Sequence, residues 1–260
     1  MVKELKSNIL YHRSYRKLQG RLKSFLLQFL LFAVPLSAIT IFFYPQITHT
    51  ICQITENILA PIFLEGEVKI AEIEYINAIG NISFIQLPSN FPTFAFSMIN
   101  AIVCLAILIL IPYVENSKPA VILVIIISSI QFISALFFLI FPLLFPYQAV
   151  DYSRLYMIQQ ISIWFFVPIL MGLAVLPLPS SLESKFFTLA ITYIYSLIFG
   201  TVRYVVFLFI LGRISLLYMA VLFFLLGPLI DFVYIVGAYS IHVTRLANKI
   251  KGDFSLWKWQ

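Results

Sequence analysis

Six long runs of apolar residues, separated by short polar stretches, dominate the pattern of hydrophobic and polar positions along the chain. A helix that spans a membrane needs roughly 20 apolar residues. The runs that reach this length cover residues 25–44, 94–113, 120–146, 155–178, 186–211 and 214–239. Because the dipeptide Gly212-Arg213 alone separates the last two runs, they are predicted to form a tight antiparallel hairpin.

The composition supports the same interpretation. Hydrophobic residues make up 62% of the chain and charged residues 11%, whereas a soluble domain carries about 25% charged residues. We therefore expect an all-α integral membrane protein with six transmembrane helices, in which residues 1–260 form one domain in contact with the lipid bilayer. The net charge of +6 does not indicate nucleic-acid binding, because the basic residues flank the apolar runs, as membrane topology requires.

The distribution of Lys and Arg predicts that both chain ends lie in the cytoplasm. With the N-terminus inside, thirteen Lys and Arg residues lie on the inner side and three, Lys69, Arg154 and Arg213, on the outer side. Residues 1–24 then form a basic cytoplasmic segment, 45–93 an extracytoplasmic segment and 240–260 a cytoplasmic tail. No small-residue cleavage site follows the first run, so we expect an uncleaved span in the inner or plasma membrane.

The predicted extracytoplasmic segment has two parts with different patterns. In "ITHTICQITENILAPIFL" the apolar residues recur at near-helical spacing, which predicts a short helix on the outer leaflet or on the bundle. In "EIEYINAIGNISFIQLP" β-branched residues predominate, and Gly80-Asn81 could form a two-residue turn between short strands. Because an isolated hairpin is marginal in water, this one is expected to rest on the bundle or on a partner.

Two ionisable residues, Arg203 and Asp231, lie inside the fifth and sixth runs. At 1.5 Å per residue, Arg203 is expected roughly 14 Å and Asp231 roughly 24 Å below the outer ends of their helices. This difference argues against a direct ion pair. Arg203 would instead reach Gln159, Gln160 or Tyr218 in the outer half of the membrane. Asp231 would lie in the inner half, near Lys185 or the end of its own helix. Such residues either mark a functional site or hold helices together by hydrogen bonds, and the sequence leaves both open.

The dipeptide Gly227-Pro228 precedes Asp231 and predicts a kink in the sixth helix. Proline removes a backbone hydrogen bond and so frees a carbonyl one turn earlier. A broken helix beside a carboxylate is found in transporter ion sites. The competing interpretation is that the proline only bends the helix and has no role in function, since proline also occurs in other spans.

Candidate groups for catalysis or metal binding are few. His49 and Cys52 lie three residues apart and could share a helical face as a thiol site. We identify no group of residues with metal-ligand spacing, no cofactor motif and no catalytic constellation, so the patterns favour a protein that is not an enzyme without deciding the question. Cys104 lies within an apolar run and is expected to pack there.

The stretch "GTVRYVVFLFILG" at residues 200–212 resembles part of the exosortase and archaeosortase family, multi-spanning membrane transpeptidases that process surface proteins. That family uses a cysteine, an arginine and a histidine on the outer face, and the resemblance assigns Arg203 to the arginine. The fourth run begins "RLYMIQQISIW" without the cysteine, the sixth has "ISLLYMAVLFF" without the histidine, and Gly200 stands where the family has asparagine. The resemblance therefore implies a catalytically inactive relative.

Two functions follow from these observations as hypotheses. The first is a non-catalytic membrane subunit, an exosortase-like accessory or scaffold in surface-polymer or surface-protein assembly, which binds other membrane or extracytoplasmic proteins. The alternative is a small transporter or channel subunit that uses Asp231, the Gly227-Pro228 kink and Arg203 as its pathway.

Overall fold

The computed structural model describes residues 16–18, 22–111, 118–250 and 257–259. Its first helix, α1, has three consecutive segments: an α-helix at Leu22–Gln28, a π-helix at Phe29–Ala33 and an α-helix at Val34–Leu59. The other long helices are α2 (Phe94–Leu110), α3 (Lys118–Ile140), α4 (Ala149–Val175), α5 (Leu182–Phe209) and α6 (Pro228–Ile250). The strands are β1 (Arg16–Leu18), paired with β4 (Trp257–Trp259), and β2 (Lys69–Ile76), paired with β3 (Gly80–Gln86).

The helices have the dimensions and surface of a membrane protein. Among the described residues, five helices are long and apolar enough to cross a bilayer, and α2 is a shorter apolar helix of 17 residues. Large apolar side chains cover their outer faces, such as Leu27, which is 60% exposed, and Ile133, which is 66% exposed. Lipid solvates such side chains, whereas water does not. The class of all-α membrane protein is confirmed, while the number of crossings and their direction remain predictions.

Helix α4 lies at the centre of the bundle, in contact with α1, α5 and α6. Its buried positions form one broad face, which includes Tyr156, Gln160 and Trp164. Helices α2 and α3 pair with each other, and α3 also contacts the segment that leads into α6. This arrangement makes α4 the element on which the polar residues of the interior converge.

The helix predicted separately after residue 44 is in fact the end of α1, which continues through Pro45 to Leu59. A proline inside a helix removes one hydrogen bond and usually bends or ends the helix. Here a continuous buried face, which includes Tyr44, Thr48 and Cys52, packs against the rest of the protein on both sides of the proline. The packing of that face offsets the lost hydrogen bond.

The predicted hairpin is present, but its turn lies elsewhere. Strands β2 and β3 pair antiparallel with Ile73 opposite Ile82, and the turn comprises residues 77–79. Gly80, predicted to lie in the turn, begins β3 with a φ of +144°, a conformation that L side chains rarely adopt. Glycine therefore allows the chain to enter β3 directly after the turn.

Strand β3 is held on the helical bundle by its backbone. The hydroxyl of Tyr44 donates to the carbonyl of Gly80 at 2.6 Å, and the amide of Ser83 donates to the hydroxyl of Thr48 at 3.3 Å. The amide of Ile85 donates to the Tyr204 hydroxyl at 2.9 Å, and the side chains of Ile82, Phe84 and Ile85 are buried. The hairpin therefore rests on the helical bundle. This was one of the two supports expected from the sequence, the other being a partner protein.

The last helical hairpin is irregular where the sequence predicted a short turn between two regular helices. After α5 come a π-helix at Ile210–Ile214, an extended residue at Ser215, a 3-10 turn at Leu216–Tyr218 and a second π-helix at Val221–Leu226. The side-chain amide of Asn90 donates to the carbonyls of Arg213 and Ile214 at 2.8 and 2.9 Å. These bonds satisfy carbonyls that the end of a helix leaves without an intrahelical partner.

Helix α3 is shorter than the third apolar run, which was predicted to continue to residue 146. It ends at Ile140, and Pro142–Leu144 form a 3-10 turn instead. The residue before a proline is disfavoured in the helical conformation, and Phe141 has the non-helical angles φ −130° and ψ 50°.

Candidate functional site

Arg203 and Asp231 form a buried ion pair at the centre of the bundle. The Nη2 atom of Arg203 lies 2.8 Å from Oδ2 of Asp231, and the two side chains are 2% and 7% exposed. The prediction that these residues serve separate places in the outer and inner halves of the membrane is wrong. Nor does Asp231 bond Lys185, whose ammonium donates to the carbonyl of Leu176 at 2.7 Å.

The position of the turn explains why the depth argument failed. The prediction ended the fifth helix near Gly212, but the chain reverses at Ser215. Twelve residues separate Arg203 from Ser215 and sixteen separate Ser215 from Asp231, a difference of four residues, or about 6 Å in a regular helix. π-Helical segments lie on both sides of the turn, at Ile210–Ile214 and at Val221–Leu226, so neither path rises as a regular helix does. An arginine side chain is long enough to span the remaining difference in height between the two residues.

Three donors of the Arg203 guanidinium each bond a different acceptor. Nε donates to the hydroxyl of Tyr156 on α4, Nη1 to the carbonyl of Gly227 and Nη2 to Asp231 on α6, all at 2.8 Å. We refer to Arg203, Tyr156, Asp231 and the Gly227 carbonyl as the Arg203 cluster. Charge-assisted bonds of this kind are stronger than neutral ones, so the cluster joins three helices.

Gly227 and Pro228 supply the carbonyl of this cluster through the predicted kink. Gly227 has φ −66° and ψ −84°, outside the helical region, and it separates the π-helix from α6. Its carbonyl is thereby accessible to the Arg203 side chain. A Cβ atom at this position would lie 2.9 Å from the carbonyl oxygen of Phe223, so a side chain would not fit without a shift of the backbone.

Two aromatic rings lie beside the guanidinium, and Gly200 bonds one of them. The hydroxyl of Tyr156, which accepts from Arg203, donates to the carbonyl of Gly200 at 2.9 Å. The guanidinium carbon lies 5.4 Å from the ring centroid of Tyr156 and 5.9 Å from that of Phe199, within the range of cation–π attraction. A Cβ atom at Gly200 would lie 2.7 Å from Oε1 of Gln160, so the end of that side chain would have to move.

The glutamines expected to receive Arg203 lie beside the cluster, but the described guanidinium bonds go to other residues. Gln160 is 1% exposed, and within the described residues neither of its amide atoms has a hydrogen-bond partner. The Nε2 atom of Gln159 lies 3.8 Å from the position that a Cβ of Gly227 would take. Tyr218, the third expected partner, is 3.4 Å from Oδ1 of Asn100.

Sequence reasoning missed Tyr156 as the partner of Arg203. The available signal was its spacing: Tyr156 lies four residues before Gln160 and therefore on the same face of α4. An aromatic residue in an apolar run gives no indication of its hydroxyl, so the spacing to a polar neighbour was the one usable feature.

Tyr204 connects the Arg203 cluster to the hairpin. Its ring stacks on that of Tyr156 with centroids 5.2 Å apart. Its hydroxyl lies 2.6 Å from the hydroxyl of Ser153 and accepts from the backbone amide of Ile85 in β3. The adjacent residues Arg203 and Tyr204 of α5 therefore bond different elements: Arg203 holds α6, and Tyr204 holds strand β3.

The candidate thiol site is not assembled. His49 lies on an exposed face of α1, where its Nε2 is 3.1 Å from Nε2 of Gln53. Cys52 is fully buried. A thiol in apolar surroundings keeps its proton and is a poor nucleophile, so the geometry does not support a pair in which His49 activates Cys52.

Neither a search for metal sites nor a comparison with known proteins assigns a further chemical role to these residues. In the part of the chain that the structure describes, no three His, Cys, Asp or Glu side chains come together as a metal site. Comparisons with protein-family models, curated proteins and solved structures find no significant match. The arrangement itself supports one physical role directly, the joining of α4, α5 and α6 by a paired charge.

Proposed function

We propose that this chain is a non-catalytic, multi-pass membrane subunit that holds the β2–β3 hairpin in position for a partner protein. On the predicted topology, the hairpin lies on the extracytoplasmic side. The resemblance of residues 200–212 to exosortases suggests that the partner belongs to a system that assembles surface proteins or surface polymers.

The observation that carries this proposal is the asymmetry of the hairpin. Strand β3 is largely buried and is bonded to α1, to α5 and, through the Ile85 amide and the Ser153 hydroxyl at 3.1 Å, to α4. Strand β2, in contrast, has exposed side chains at Glu72, Glu74 and Tyr75. Within the described residues, β2 pairs with β3 alone, so its other edge is open to a further strand. An open edge is a common site for the addition of a strand from a partner.

The Arg203 cluster supports the proposal because it fixes the surface on which the hairpin rests. Arg203 holds α4 and α6 together, and its neighbour Tyr204 bonds the amide of Ile85. Rigid support of this kind suits a scaffold, because the surface presented to a partner must keep its shape.

Co-purification in mild detergent tests the proposal. Glu74→Lys reverses a charge on the open strand and should reduce recovery of the partner, because the new charge changes the contact surface. Glu65→Lys, the same change at an exposed position outside β2, is the matched control and should leave recovery unchanged. Equal recovery with both variants, or a protein that purifies without a partner, would reject this function.

The alternative, a transporter or channel subunit, has its own support. Gln160 is buried without a hydrogen-bond partner in the described residues, close to Gly200 and the kink at Gly227. Proton or ion movement through this region would depend on the charge of Asp231. In proteoliposomes, Asp231→Asn should then abolish flux, while a flux equal to that of the wild type would exclude this pathway.

A further inference from the structure

A second polar region lies where α5 begins and α6 ends, away from the Arg203 cluster. It is a cavity of about 590 Å³, and its polar lining comprises Ser180, Ser181, Ser184, His242, Arg245 and Asn248. His242 follows Asp231 by eleven residues on α6, or about 16 Å along the helix. The cavity is therefore separate from the ion pair.

The hydroxyl and imidazole groups of this cavity are held by bonds to each other and to the helices. His242 is 4% exposed, with Nε2 3.1 Å from the Ser180 hydroxyl and Nδ1 2.8 Å from the Thr188 hydroxyl. The hydroxyl of Ser181 accepts from the amide of Ser184 at 3.4 Å and caps α5. One wall is thus fixed before any ligand arrives.

Positive charge surrounds this wall. Arg245 lines the cavity and is exposed, so its guanidinium can turn toward a ligand. Lys185 lies behind, with its ammonium 2.7 Å from the carbonyl of Leu176 and 3.1 Å from Oε1 of Gln28. The one acidic residue in the first turn of α5, Glu183, does not line the cavity. The lining therefore combines a cation with several hydroxyl groups.

We propose that this cavity binds a phosphate group. A guanidinium fork matches two phosphate oxygens at once, and serine hydroxyls can donate to the remaining oxygen atoms. The cavity lies at a helix end, on the side predicted to be cytoplasmic, where basic pockets between membrane helices receive anionic lipid headgroups. The phosphate can come from such a headgroup or from a free phosphate ion.

Binding to the full-length protein distinguishes the two sources. In one arm, the detergent-solubilised protein is mixed with vesicles of phosphatidylcholine alone or with added phosphatidylglycerol. In the other arm, inorganic phosphate is titrated into the protein held in phosphatidylcholine nanodiscs. A preference for phosphatidylglycerol identifies a lipid headgroup, and saturable binding of inorganic phosphate identifies the free ion.

Arg245→Gln should weaken whichever binding is found by about fivefold, the effect of one basic residue near an anionic headgroup. Arg154→Gln, which removes an exposed arginine on α4 outside the cavity, is the matched control. Ser184→Ala removes a hydroxyl of the lining and should also weaken binding. If Arg245→Gln binds as tightly as the control, or if neither arm shows saturable binding above phosphatidylcholine, the proposal is overturned.

Discussion

Removal of one member of the Arg203–Asp231 pair should destabilise the protein strongly. In Asp231→Leu the guanidinium keeps its bonds to Tyr156 and Gly227 but loses its counter-charge at a position 2% exposed. Breaking a buried pair from one side costs about 3–5 kcal/mol. Since about 1 kcal/mol shifts the Tm of a chain of this size by roughly 2–4 °C, we expect a decrease in Tm of about 6–20 °C.

The double variant Arg203→Met/Asp231→Leu, measured beside Arg203→Met and Asp231→Leu, provides the decisive comparison. Replacing both charges with apolar residues of similar size is often close to neutral, so the double variant should be more stable than Asp231→Leu. The excess of the single-variant costs over the double-variant cost measures the coupling between the two residues. Thermal unfolding in one detergent, followed by tryptophan fluorescence, gives the required Tm values.

Arg154→Gln serves as the control for this experiment. Arg154 and Asp151 are 3.7 Å apart with side chains 41% and 34% exposed, and an exposed pair contributes at most about 1 kcal/mol. The control should therefore lower Tm by less than roughly 4 °C. A Tm of Asp231→Leu equal to that of the control, or a double variant less stable than both single variants, would refute the assigned role of the pair.

Three further predictions concern the surroundings of the cluster. Gly200→Ala places a Cβ 2.7 Å from Oε1 of Gln160 and 3.3 Å from the Trp164 ring, so it should cost about 1–3 kcal/mol of overpacking, seen as a lower Tm. Tyr204→Phe removes one of the two hydroxyl acceptors of the Ile85 amide, the other being Ser153 at 3.1 Å, and should accelerate hydrogen exchange at Ile85 while β2 exchanges as before. Cys52, which is fully buried, should resist a membrane-impermeant maleimide in the folded protein and react after denaturation; prompt labelling of the native protein would contradict its burial.

Much of the fold could be predicted because the patterns are local. Apolar runs of sufficient length predict membrane helices whatever surrounds them, and the β-branched stretch predicted the hairpin. The continuation of α1 through Pro45 could not be predicted, because it depends on the face that includes Tyr44 and Cys52 and on the packing of that face against β3. Tertiary contacts outweighed a local signal there.

The sequence indicated which residues belong to the candidate site better than it indicated how they are arranged. The sequence pointed to Arg203, Asp231, Gly227 and Gln160. Charged residues, polar residues and helix breaks inside an apolar run cost free energy in a membrane, so they stand out. Their pairing was missed, because a straight-helix calculation does not anticipate the turn at Ser215 or the π-helix at Val221–Leu226. Irregular helices of this kind depend on contacts such as those of Asn90, which lies distant in sequence.

Site-specific photo-crosslinking from strand β2 in intact cells tests the proposed function most directly. A photoreactive amino acid at Glu74, on the exposed strand, should yield one discrete adduct with another protein, because the open edge is the proposed contact. The same group at Glu65 should yield little or none. Adducts that are equally abundant from both positions, or the absence of any adduct at Glu74 while the chain is folded in the membrane, would contradict the account.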